Sequence, residues 1–136
     1  MLRSGYFDDF KGGPKLLFWG DRQDMQALAG AFRAASAGIG AVSLDSISEA
    51  VDQKSVVIQP ATRPLGILPE DGEFRWILDR ETIRQFAEMV DVLAAETGPG
   101  HQYLECGTPN EITAMVACDE YPANLNPKLH LDAAPG

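Results

Sequence analysis

The sequence predicts an α+β protein: a two-layer sandwich in which a mainly antiparallel sheet carries two helices, about residues 21–37 and 80–97, on one face. Three observations predict it. Two segments repeat apolar residues at the helical period of 3.6. The segments around them are β-branched or alternate apolar with polar residues at the strand period of two. Gly, Pro and Asp gather between the periodic stretches, where turns need them. Each helix has a single apolar stripe, so both must lie against the sheet. With 136 residues and 45% hydrophobic content, the chain is long enough for one domain, 1–136, with a substantial core.

Taken in order, "KLLFWG" (15–20) reads as a short buried strand. The segment "DRQDMQALAGAFRAASAG" follows as a helix. Asp21 can cap it by accepting from first-turn amides, and Met25, Leu28, Ala29, Phe32 and Ala35 form its stripe. Gly38 fits the stop. "AVSLDSI" (41–47) alternates weakly. "SVVIQPATR" (55–63) is β-branched, and Pro60 places that strand on an edge or ends it. "LGILPEDGEFRWIL" reads as a hairpin turning at "PEDG", with Gly72 free to take positive φ. The second helix starts at Asp79 and lines up Ile83, Phe86, Ala87, Val90, Leu93 and Ala94. Arg84 and Glu88 can pair on its wet side, and Gly98 and Pro99 stop it. Two strands close the domain, in "GHQYLEC" and "EITAMVACDEY", and 124–136 reads as a frayed tail.

The two helices superpose along the chain. Asp21-Arg22 matches Asp79-Arg80 at an offset of 58, and the stripe residues follow. Leu16 and Phe18 fall on Phe74 and Trp76. The chain therefore reads as two strand-helix-strand halves separated by a longer β insertion.

Twenty acidic against eleven basic residues give a formal net charge of −9. Lys and Arg are scattered singly, so nucleic acid and anionic membrane are excluded as natural partners. A basic protein is the natural complement. No run approaches the roughly 18 apolar residues of a membrane span. The N-terminus lacks an apolar signal segment, so the chain reads as a cytoplasmic bacterial protein. In such a reducing compartment Cys106 and Cys118 are expected to be free thiols. No G-x-S-x-G, H-E-x-x-H or C-x-x-C is present, and "KGGPK" (11–15) lacks the spacing of a phosphate loop. No cofactor or metal is implied, and the oligomeric state is left open.

"GHQYLEC" (100–106) concentrates the polar chemistry. Strand alternation puts His101, Tyr103 and Glu105 on one face and Gln102, Leu104 and Cys106 on the other. Apolar matching with the next strand sets Leu104 opposite Ala114 and Gly100 opposite Cys118. That separates the two thiols beyond the roughly 7 Å limit between disulfide-bonded Cα atoms. Two ligands are too few for a closed zinc site, though His130 and Asp132 in the tail could add to them. His101 with Glu105 is the alternative catalytic or metal-binding pair. The leading expectation for this face is a plain solvated strand, and the functional reading of it is a partner-binding surface. In "GYFDDF", Tyr6, Phe7 and Phe10 are expected to pack while Asp8 and Asp9 face water. In the partner reading Tyr6, Asp8 and Asp9 instead join Tyr103, Glu105 and the "DEY" run Asp119, Glu120 and Tyr121. Tyrosines beside acids suit protein interfaces.

Together the blocks "GYFDDF", "LLFWGD", "GHQYLEC" and "CDEYP" resemble a family of small uncharacterised bacterial α+β proteins. The likeness covers about a third of the chain and brings no chemistry with it. In size, acidity and layout the chain is also similar, by class, to immunity proteins of polymorphic toxin systems. That likeness implies an inhibitory or regulatory partner of a basic protein rather than an enzyme.

Overall fold

The computed structural model describes residues 1–38 and 40–125 and is an α+β fold. The remaining residues, including His130, Asp132 and most of the tail expected to fray, lie outside the described ones.

Both helices form where the stripes place them. Helix α1 spans Arg22–Ala37 and buries Met25, Leu28, Ala29, Phe32 and Ala35. Helix α2 spans Arg80–Ala95 and buries Ile83, Phe86, Ala87, Val90, Leu93 and Ala94. Asp21 and Asp24 cap α1 reciprocally: each side chain accepts the other's backbone N–H at 2.9 Å, a capping box. Gly20 makes room for it, because a Cβ there would collide with the Asp24 carboxylate. Asp79 caps α2 by accepting from the Thr82 amide (3.2 Å) and hydroxyl (2.6 Å). The Thr82 hydroxyl is the main reason the Asp79 carboxyl is held below its usual range. On the wet side Arg84 pairs with Glu88 at 2.6 Å, and also with Glu81.

The strands divide between two sheets rather than forming one. They are β1 (Leu2–Phe7), β2 (Lys15–Gly20), β3 (Val42–Ser43), β4 (Ser48–Ala50), β5 (Ser55–Ala61), β6 (Gly66–Glu70), β7 (Glu73–Asp79), β8 (Gly100–Leu104) and β9 (Thr113–Cys118). The larger sheet has the order β4-β1-β2-β9-β8 and the smaller β3-β5-β7-β6. Both are mixed. The pairs β1–β2, β3–β5, β6–β7 and β8–β9 are antiparallel, whereas β1–β4, β2–β9 and β5–β7 are parallel.

The registers expose an internal relation between the halves. Strand β2 pairs with β9 from Lys15↔Thr113, and β7 pairs with β5 from Glu73↔Ser55. Lys15 and Glu73 differ by 58 positions, and so do Ser55 and Thr113. Each half is thus hairpin, helix, hairpin: β1-β2-α1-β3-β5 and β6-β7-α2-β8-β9. The second hairpin of each half crosses over to pair with the first hairpin of the other. Strand β4 is an addition between β3 and β5, and it attaches to β1. The hairpin β6–β7 opens the second half and corresponds to β1–β2. It turns through Asp71 and Gly72, with Gly72 at φ 76°.

Pro60 lies on β5, which is internal to the smaller sheet. Strand β3 pairs only with Val57 and Ile58, so among the described residues β5 has no strand partner on that side at Pro60 and its missing N–H is tolerated.

One core contains residues of both helices and of the inner faces of both sheets. At its centre Trp76 of β7 stacks on Phe18 of β2 with ring centroids 5.9 Å apart. It also meets Phe32 of α1 at 5.5 Å and Phe86 of α2 at 5.7 Å. Phe18 and Trp76 are themselves related by the 58-residue offset. Trp76→Ala should cost about 3–5 kcal/mol, a large share of the roughly 5–15 kcal/mol that holds a domain together. A urea midpoint within error of the native protein's would show that the indole does not join the four elements.

Candidate functional site

The larger sheet is covered on both faces, and the site lies on its outer one. The central strands "KLLFWG" and "TAMVAC" are buried along almost their whole length. Leu16, Phe18, Ala114, Val116 and Cys118 face the helices, while Leu17, Trp19, Met115 and Ala117 face outward. That outward face would be wet without a cover. Phe10, from the loop after β1, and Leu125, past β9, supply it by packing there with Phe7. Phe7 and Phe10 are 5.0 Å apart, and Phe10 meets Tyr121 edge-on at 5.7 Å. The Trp19 indole N–H donates to the Pro122 carbonyl at 2.9 Å, which ties the segment after β9 onto the sheet. Leu125, at the start of the segment expected to fray, is therefore packed.

Strand β8 borders this cluster. Its register is the expected one, with Gly100 opposite Cys118 and Leu104 opposite Ala114. His101 and Tyr103 consequently stand on the outer face beside Ala117 and Met115, their rings 5.3 Å apart and edge-on. The chain turns at Asp119, which takes a left-handed φ of 58°, and brings Glu120 back over β8. The His101 Nδ1 then lies 3.0 Å from both carboxylate oxygens of Glu120. A carboxylate only accepts, so Nδ1 carries the proton it donates and Nε2 is left for another partner. Tyr121 follows, half-buried. Burial first, then Glu120 and Tyr103 nearby, push its phenol up to about 12.

The carboxylate that meets His101 is thus Glu120, not Glu105. Glu105 lies exposed just past β8. The next loop is held by Glu111, whose carboxylate accepts from the Cys106 amide at 2.6 Å and the Gly107 amide at 2.9 Å. Cys106 and Cys118 are free thiols, both pushed up in pKa mainly by burial, with Glu111 adding at Cys106 and Asp119 at Cys118. Among the described residues, no group of three or more His, Cys, Asp or Glu comes together to hold a metal ion.

The eight residues read as one partner surface are divided. Tyr103, Glu120 and Tyr121 come together with His101. Asp119 sits exposed at the turn, and Asp8 and Asp9 sit exposed on the loop that delivers Phe10. Tyr6 is elsewhere: it points into the inner side against Phe74, ring centroids 5.5 Å apart. Burial and then Asp8 raise its phenol pKa. Phe10, Trp19 and the His101–Glu120 contact were not legible as parts of the site. Extending the register past Ala117 would carry Glu120 away to a place opposite Gly98, and only the left-handed turn at Asp119 returns it to His101.

Comparisons with family models, with curated proteins and with solved structures return no match. No helix among the described residues is long and apolar enough to cross a membrane.

Tyr121 gives folding a pH dependence. Its neutral form is favoured in the folded protein, so it contributes stability below the ordinary phenol pKa of 10.0 that is lost as pH rises from there through about 12. Tyr121→Phe should therefore lose less stability than the native protein between those pH values in denaturation midpoints. Equal losses in the two proteins would contradict the buried, acid-flanked phenol.

Proposed function

We propose that the chain is a protein-binding domain that engages a basic partner through the acid–aromatic surface of Tyr103, Tyr121, Glu120 and His101, extended by Asp119 and Glu105. The observation that carries this reading is the meeting of two tyrosines and a carboxylate on the outer face of β8, where Tyr103 is 38% exposed. Tyrosine gives contact area at small entropic cost. The net charge of −9 supplies a field that steers a cationic protein toward the molecule. The resemblance by class to immunity proteins agrees with a finer version, in which the partner is a basic toxin neutralised in the bacterial cytoplasm.

The test is affinity capture with the full chain at low ionic strength. A basic protein should be retained, released by about 0.5 M salt, and lost when Asp119→Lys and Glu120→Lys are combined. An acidic partner, or one that binds the double variant and tolerates salt equally well, would contradict the reading. The toxin version adds a genetic outcome: co-expression should suppress the toxicity of a neighbouring gene's product. Undiminished toxicity would remove it.

A further inference from the structure

Strand edges decide what else a sheet can pair with, because an edge offers unpaired N–H and C=O groups. The two sheets have four edges: β4, β8, β3 and β6. Three are blunted. Strand β4 has three residues and β3 two. Strand β6 carries Pro69, and the loop after β8 closes on its first residue, the Thr108 hydroxyl lying 3.1 Å from where a Gly66 Cβ would sit. Strand β8 has five residues, "GHQYL", with no proline, lysine or arginine to block pairing. Among the described residues it makes backbone hydrogen bonds to β9 alone.

Acids bracket this open edge on both faces. On the inner side the Glu96 carboxylate lies 3.6 Å from where a Cβ of Gly100 would stand. On the outer side Glu120 holds His101, and Glu105 follows Leu104 directly. A strand that added here would place alternate side chains on the two faces, so basic residues of either parity would meet a carboxylate. A second copy of this chain would bring the same acids and a like net charge of −9, which charge complementarity disfavours.

We propose that β8 accepts an extended, lysine- or arginine-bearing segment of a protein partner as a sixth strand of the larger sheet. Backbone hydrogen bonds along β8 give the affinity, Glu96, Glu105 and Glu120 select for cations, and Tyr103 supplies apolar contact on the outer face. The inference rests on the acidic-surface reading above and specifies how the partner is held.

The test is amide hydrogen exchange by NMR on the full chain. The probe is a synthetic peptide of about eight residues alternating Thr and Lys, a usual strand length, with an alternating Thr-Glu peptide as control. At about ten times its Kd, the Lys peptide should slow exchange of the outward-facing β8 amides about tenfold. The Glu peptide should leave them unchanged, and Glu96→Lys with Glu105→Lys should weaken the Lys peptide's effect. Shifts at His101, Tyr103 and Tyr121 without slowed β8 amides would overturn strand addition and leave the acidic-surface reading standing. No shift anywhere would overturn that reading as well. Equal protection by the Glu peptide would overturn the charge selection. The proposal also fails if the β8 amides are already as protected as those of β9 without peptide, or if protection rises with protein concentration alone, which would make a second copy the occupant.

Discussion

A single indole joins the four structural parts of this protein. Trp76 belongs to the smaller sheet, stacks on Phe18 of the larger one, and meets Phe32 of α1 and Phe86 of α2 edge-on or tilted. Phe18 and Trp76 occupy matching places in the two halves, so their contact lies where the halves meet. Aromatic pairs contribute about 0.5–1.5 kcal/mol beyond the area they bury, and here three such pairs share one side chain. Each half sends its second hairpin across this centre, β5 to lie parallel to β7 and β9 to lie parallel to β2. Neither half holds a complete sheet of its own.

The exchange also positions the candidate site. Because β9 is taken up beside β2, β8 becomes the rim of the larger sheet. The central strands are apolar on both faces, as strands buried on both sides must be, and this forces a cover over the outer face. The loop bearing Phe10 and the segment from Tyr121 to Leu125 form that cover. They bring Asp119 and Glu120 to the rim beside β8, while Asp8 and Asp9 stay exposed on the loop after β1. The acidity of the surface near β8 is in part a consequence of how an apolar face is closed.

What could be read from the residues follows the range of the forces involved. Both helices, the cap at Asp21 and every buried stripe residue were legible, because capping and periodicity act within a few positions. The β8–β9 register was legible because a slip of one residue would have put Leu104 opposite Thr113 instead of Ala114. Strand β1 was not: "LRSGYF" carries Arg3, Ser4 and Gly5, and its burial comes from neighbours far along the chain. The division into two sheets was not legible either. Alternation shows which face of a strand is buried but not which strand lies beside it, and Lys15 finds Thr113 only through the exchange. Tyr6 was legible as a packed residue of "GYFDDF", and its partner there was not. Its neighbours Asp8 and Asp9 are exposed, but strand parity sends Tyr6 inward to Phe74. His101 and Glu120 meet because of a left-handed turn at Asp119, a conformation uncommon outside glycine and only mildly favoured by aspartate.

Interleaving has a thermodynamic signature that local packing alone does not share. If neither half can stand without the other, the slowest amides of β2, β9, β5 and β7 must open together with the whole molecule. Native-state hydrogen exchange in low denaturant measures this directly. A common opening free energy across all four strands, equal to that of global unfolding, is the expected result. An opening of β7 and β9 that lies more than about 1.4 kcal/mol below that of β2 and β5, a tenfold difference in population, would show that the halves unfold separately and contradict the exchanged architecture as the basis of stability.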